Sequence, residues 1–168
     1  NVLGLKLPKY KTVRIGLVGL GMRGPGAVDN FCVLPGVEIV ALCDFVEARA
    51  VAQNEKLRKR GLPPAAIYSG ENGYKELCAR PDIDLVYIAT DWAHHFPVAE
   101  CALQNGKNVA DEVPSAMNLE ECWKLVDLSE KMQKNCMILE NCCYDRNEMM
   151  VMKMVREGLF GKIVHCEG

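Results

Sequence analysis

The chain has 168 residues, 49% of them hydrophobic and 25% charged, with a formal net charge of −2. That length suffices for one domain with its own core, and no apolar run approaches the roughly 20 residues of a membrane-spanning helix. The small charge gives no electrostatic case for nucleic acid or an anionic membrane as a partner.

In chain order, residues 1–12 read as an N-terminal extension. The chain starts at Asn1 without methionine or a signal peptide, as expected of a processed or trimmed product. Short β-rich runs then alternate with amphipathic stretches. Strands are predicted at Val13–Val18, Val37–Cys43, Ala66–Tyr68, Leu85–Ala89, Asn108–Ala110 and Met137–Glu140. Helices are predicted near Gly24–Val33, Val46–Arg60, Gly73–Ala79, His95–Gln104 and Leu119–Gln133. Strands rich in Val, Ile and Leu with helices between them predict an α/β fold, a Rossmann-type doubly wound parallel sheet with helices on both faces.

Local chemistry supports the helix ends. Gly61 and Gly106 fall where a left-handed C-terminal cap is needed. Asn118 followed by Glu121 forms an N-cap pair. Cys122, Leu125, Val126 and Ser129 repeat at helical spacing and are expected to face the sheet. The basic run Lys56, Arg58, Lys59 and Arg60 reads as a solvated helix end, favoured by the helix dipole, rather than a binding patch.

The nine cysteines, at 32, 43, 78, 101, 122, 136, 142, 143 and 166, include no C-x-x-C pair. Neither a zinc site nor a disulfide framework is expected, and no other metal; free cysteines packed as small hydrophobes suit a reducing compartment. By Glu140 a six-stranded domain is complete, so residues 13–143 read as the nucleotide-binding domain. Residues 144–168 read as a linker helix and the first strand of a second, α+β domain. In them a methionine-rich stretch, Met149–Val155, is expected to pack in a core, and Ile163–Glu167 to begin a strand. The chain therefore reads as the front part of a larger protein.

Five segments carry chemistry. GLGMRG, with Gly19, Gly21 and Gly24, follows a strand and opens a helix. Gly19 would make the tight turn, Gly21 admit a pyrophosphate, and Gly24 allow close helix–strand packing. The helix N-terminus would offer free N–H groups to the phosphates. Asp44 lies 20 residues beyond Gly24, where a carboxylate accepts from the adenosine ribose hydroxyls and repels a 2′-phosphate, so NAD is expected over NADP. Arg23 could hold either the pyrophosphate or a 2′-phosphate.

ATDWAHHFP (89–97) ends the fourth main strand, and one of His94 and His95 should face the cleft. Their spacing is wrong for a shared metal, and the alternative is a solvated helix start. Trp92 is read as packing or as a flat surface beside a nicotinamide or sugar. Glu112 and Pro114 follow the next strand, near the nicotinamide. In LENCCYD (139–145), Asn141 is either a turn residue or an amide ligand for the nicotinamide ribose or carboxamide.

On these residues the chain resembles the glucose–fructose oxidoreductase and inositol dehydrogenase (Gfo/Idh/MocA) family over its full length: Gly19, Gly21 and Gly24, then Asp44, Thr90 with His95, and Glu112 with Pro114 of an E-K-P motif. GMRGPGAV, VEIVALCD, the E-V-P form of that motif, EECWKLVD, LENCCYD and EGLFGKIVH resemble the NAD-dependent α-N-acetylgalactosaminidase branch. The resemblance implies NAD contacts from Met22, Arg23, Asp44, Trp92, Ala93, His94, His95, Glu112, Val113 and Asn141. Asp91 departs from the family's usual proline, and Asp111 places a charge where the branch tends to be apolar.

The dehydrogenases of the family use the motif lysine to move a proton, and Val113 cannot. The glycosidase branch, as the resemblance implies, oxidises the sugar at C3, which acidifies the C2 proton. The glycoside is then eliminated, water adds at C1, and C3 is reduced again, outside the usual two-carboxylate scheme. The catalytic acid and base are not assignable; the family's tyrosine and histidine are expected largely beyond Gly168, with His95 one candidate. A small-molecule glycoside or sugar is the expected partner, and a homo-oligomer stays open. So does the compartment, cytoplasm or export to a periplasm after folding. The competing readings are a sugar dehydrogenase and a non-catalytic NAD-binding fragment.

Overall fold

A computed structural model describes residue 2 and residues 4–167. Elements alternate along the chain as β1 (Val13–Val18), α1 (Gly24–Phe31), β2 (Val37–Asp44), α2 (Glu47–Lys59), β3 (Ala66–Ser69) and α3 (Gly73–Ala79). The second half continues with β4 (Leu85–Ile88), α4 (Trp92–Gln104), β5 (Asn108–Glu112), α5 (Leu119–Met132), β6 (Cys136–Leu139) and α6 (Arg146–Arg156). The six strands pair in parallel in the order β3-β2-β1-β4-β5-β6. Strand order reverses between β1 and β4, which opens a crevice at their carboxyl ends.

Two cores cover the sheet. On one face Ile15, Leu17, Ile39 and Leu42 meet Val28 of α1 and Ala50 and Leu57 of α2. On the other, Val18, Ala41, Cys43, Val86 and Ile88 meet Leu77 of α3, Val98, Ala102 and Leu103 of α4, and Leu125 of α5. β1 keeps a strict alternation, but β2 does not. Ile15 pairs with Ile39 and Gly16 with Ala41, so Val40 is an extra residue, a β-bulge. The bulge resets the alternation: Leu42 returns to the α1–α2 face, and Asp44, two residues on, has the same parity and pairs with Arg49 of α2.

Gly61 and Gly106 take φ of +72° and +71° at the ends of α2 and α4, as their sequence positions predict. Asn118 accepts from the Glu121 N–H at 2.9 Å, while the Glu121 carboxylate takes the Met117 N–H at 2.8 Å. The basic end of α2 is tied to α1, with Lys56 and Arg60 both on Asp29.

Four expectations are corrected. α4 starts three residues early, at Trp92, because the Asp91 side chain accepts from the Ala93 N–H at 3.1 Å and caps it. On α5 the sheet-facing residues are Leu125, Leu128 and Ser129, and Cys122 and Val126 are exposed. The methionine stripe lies in α6, which buries no residue. Ile163–Glu167 form no strand, because no ladder partner meets them among the described residues.

Arg14 at the start of β1 forks onto Asp84, with Nε–Oδ2 at 2.9 Å and Nη2–Oδ1 at 2.8 Å, and its N–H also donates to Asp84. The Arg14 guanidinium holds the Asp84 carboxyl below the usual carboxylate range. A depressed carboxyl stabilises the fold above its unfolded-state pKa, and that contribution is lost as pH falls through the folded value. Asp84→Asn is therefore expected to lower Tm at neutral pH and to shrink the Tm difference between pH 7 and pH 3. An unchanged acid limb in thermal melts would contradict this.

Candidate dinucleotide-binding site

The glycine loop leaves β1 at Gly19 with φ +92°, and a Cβ there would lie 2.3 Å from the Ala89 carbonyl oxygen. A Cβ on Gly24 would lie 2.1 Å from the Gly19 carbonyl oxygen. These two positions accept hydrogen only. Gly21 differs, since its nearest neighbour is an Arg49 nitrogen at 3.7 Å, so its backbone faces open space. α1 begins at Gly24 with no side chain capping it and no acidic residue in its first turn. Its positive end is unneutralised and adjoins the glycine loop, the arrangement that receives a diphosphate.

A cleft of about 460 Å³ opens over this loop. It is lined by Gly19, Gly21 and Met22 of the loop, by Asp44, Phe45 and Arg49 after β2, by Glu71 and Tyr74 after β3, and by Thr90, Asp91 and His94 after β4. Asp44 is buried; its Oδ2 accepts from the Leu20 N–H at 2.7 Å and its Oδ1 from the Val46 N–H at 2.9 Å. Those bonds join β2 to the glycine loop and aim the carboxylate at the cleft floor. With Arg49 Nη1 also on Oδ1 at 3.4 Å, a lone pair of Oδ2 remains for a ribose hydroxyl, because a carboxylate offers about four acceptor sites.

Of the two histidines, His94 lines the cleft and His95 does not. His94 Nδ1 lies 2.8 Å from Asp91 Oδ2, and that hydrogen bond holds the Asp91 carboxyl below its ordinary range. His95 turns inward, 1% exposed, onto Asp111. Thr90 donates its hydroxyl to the Asp91 carbonyl oxygen. Trp92 and Ala93 are exposed on the first turn of α4, outside the cleft lining.

A second cluster lies at the carboxyl ends of β5 and β6. Tyr87 donates to Glu112 Oε1 at 2.8 Å, and burial, then this bond, pushes its phenol pKa up. Arg23 Nε stands 3.5 Å from Glu112 Oε1, and its Nη2 donates to Asn141 Oδ1 at 3.1 Å. Arg23 thus reaches away from Asp44, toward β5 and β6. Val113 is 38% exposed and joined to Pro114 by a cis peptide bond.

Arg49 and Tyr87 escaped the sequence reading. Arg49 sits five residues after Asp44, in the first turn of α2, with its guanidinium 3.4 Å from Asp44 Oδ1. The signal was a cation one helical turn into the helix that follows the ribose acid. Tyr87 gave no signal, because an apolar strand hides a single hydroxyl. Arg49→Ala is expected to weaken NAD and ADP-ribose equally, by about threefold to tenfold, because Arg49 lines the cleft beside Asp44 on the side that both ligands share. Titration calorimetry with both ligands checks this; a loss confined to NAD would contradict it.

A glycine turn that excludes side chains, an uncapped helix start and a buried acid closing β2, gathered at the switch point of a parallel sheet, define a dinucleotide-binding Rossmann domain. The chain belongs to the Gfo/Idh/MocA oxidoreductase family, NAD-binding Rossmann fold, whose profile matches residues 13–140. Its cofactor is accordingly NAD. Among curated relatives it is 63% identical, over 168 residues, to glycosyl hydrolase family 109 protein 5 of Phocaeicola vulgatus, covering 100% of this chain and 32% of that protein. It is 54% identical over 169 residues to glycosyl hydrolase family 109 protein 1 of Bacteroides fragilis, covering 100% of this chain and 36% of that protein. The chain thus spans about a third of the length of these relatives.

Among solved structures it is similar to myo-inositol dehydrogenase from Lactobacillus casei in complex with NAD(H) and myo-inositol. The identity is 27% and the TM-score 0.79, over 89% of this chain and 43% of that one. No described helix is long and apolar enough to cross a membrane.

Proposed function

We propose that this chain is the nucleotide-binding portion of an NAD-dependent glycoside hydrolase acting on α-N-acetylgalactosaminides. One observation carries the reading: the chain is 63% identical along its whole length to a glycosyl hydrolase family 109 protein. It is supported by Val113, which stands at the carboxyl end of β5 and has no proton to give or take.

In this reading the glycine loop and the start of α1 hold the diphosphate, with Gly19, Gly21, Met22 and Gly24, and Asp44 holds the adenosine ribose. Thr90, Trp92, Ala93, His94, Glu112, Val113 and Asn141 are the remaining cofactor contacts; His95, buried on Asp111, leaves that set, and Arg23 joins the loop to Glu112 and Asn141. NAD, when bound, supplies a hydride acceptor that is restored within each turnover. Val113 contributes bulk that excludes water and moves no proton. The sugar's protons pass through side chains other than Val113.

The test uses the longer protein that carries this domain. Cleavage of an aryl α-N-acetylgalactosaminide without added NAD supports the hydrolase. Steady accumulation of NADH with a free sugar would establish instead the second reading, a sugar dehydrogenase, which the likeness to a myo-inositol dehydrogenase favours. The 168-residue chain itself is expected to bind NAD without turnover.

A further inference from the structure

His95 and Asp111 form a closed polar pair inside the α4–β5 layer. His95 Nδ1 lies 2.6 Å from Asp111 Oδ1, and the two residues are 1% and 0% exposed. Asp111 Oδ2 makes no further hydrogen bond of good geometry among the described residues, although the Ser115 hydroxyl in the turn after β5 also favours the charged carboxylate. Apolar packing would cost less here, because a buried carboxylate and imidazole lose their hydration and regain only part of it from each other. The surrounding layer of Val98, Ala99, Val109 and Leu125 is apolar, so the pair is an exception that packing does not require.

Its place gives it a use. His95 stands in the first turn of α4, four residues after Asp91. Asp111 immediately precedes Glu112 and the Val113–Pro114 turn. The pair therefore pins the β4–α4 loop to the turn after β5. With Asp44 on β2 taking the adenosine half of a dinucleotide, the other half falls across the carboxyl ends of β4 and β5, between these two segments. A shift of either changes the gap that receives the nicotinamide.

We propose that His95 and Asp111 are positioning residues that set the spacing of the nicotinamide subsite, acting through Thr90–Asp91 on one side and Glu112–Val113 on the other. The proposal rests on the NAD reading of the cleft. Neither residue touches the ligand; each holds a segment that does.

The experiment compares NAD with ADP-ribose, which shares the adenosine and diphosphate but lacks nicotinamide, by titration calorimetry on the 168-residue chain. Wild-type protein that binds neither ligand would remove the NAD reading itself. With wild-type binding in hand, Asp111→Val is expected to weaken NAD about tenfold and to leave ADP-ribose within about twofold. The double variant His95→Gln/Asp111→Asn keeps a hydrogen bond between neutral amides and is expected to recover NAD affinity to within about threefold of wild type. Equal losses for the two ligands, or no loss, would overturn the proposal. So would the absence of a cooperative thermal melt in both variants, which would make the pair a determinant of the fold alone.

Discussion

Gly19→Ala is expected to abolish detectable NAD binding and to destabilise the domain by about 3 kcal/mol or more. Two independent strains add. The φ of +92° is outside the range that an alanine adopts readily, and the new Cβ would sit 2.3 Å from Ala89 O and 2.6 Å from Thr90 N. Both neighbours are backbone atoms, so no side chain can swing away. The Ala89 N–H donates to Val18 at 2.9 Å and the Gly19 N–H to Cys43 at 2.9 Å. Relief of the clash must part β1 from β4 or from β2, at the point where the diphosphate is received.

Denaturant titration and calorimetry read both effects. Gly26→Ala is the control, because a Cβ there meets nothing within 4 Å. Inside α1 it should be neutral or stabilising by about 0.5–1 kcal/mol. A Gly19→Ala protein with wild-type NAD affinity would refute the role of the turn.

Asp44→Ala is expected to lower NAD affinity by about a hundredfold and to erase most of the preference for NAD over NADP. The carboxylate has three jobs in the structure. It satisfies the buried Leu20 N–H, it accepts from Val46 N–H, and it pairs with Arg49 at 3.4 Å. Losing the first leaves a buried donor unpaired, at about 1–3 kcal/mol, and loosens the loop after Gly19. Losing the negative charge also removes repulsion toward a 2′-phosphate and frees the Arg49 guanidinium to face it. Dissociation constants for NAD and NADP on wild type and variant decide the matter; an unchanged ratio would mean that Asp44 does not read the 2′ position.

Much of this site could be read before the fold was known. The glycine spacing, the acid 20 residues further on and the run of apolar strands follow from strong local constraints. A turn that admits no Cβ needs glycine, and a sheet covered on both faces needs Val, Ile and Leu throughout. Those same continuous runs conceal the bulge at Val40, because VEIVALC carries apolar residues on both faces and shows no alternation to break.

The histidine pair was ambiguous for a related reason. Successive helical residues differ by about 100° in direction, so the Asp91 cap, by starting α4 at Trp92, settles which imidazole meets the cleft. Asp111 reads in the sequence as a misplaced charge, and the structure sets His95 opposite it. On α5 the spacing predicts Leu125 and Ser129 correctly but also places Cys122 and Val126 on the buried face, where Leu128 packs instead. The α6 methionines have the spacing of a packing face, but spacing does not say whether a surface lies against them.

The extra residue in β2 divides that strand into two stretches of opposite parity. Before Val40, odd-numbered positions such as Ile39 belong to the α1–α2 layer; after it, even-numbered Leu42 does, and Asp44 has the same parity and meets Arg49 of α2. Removing one residue there would shorten the spacing from Gly24 to the acid by a single position and turn the acid toward the layer of α3 and α4. The address of the adenosine ribose on this sheet is thus a matter of counting, held by a valine that no nucleotide touches.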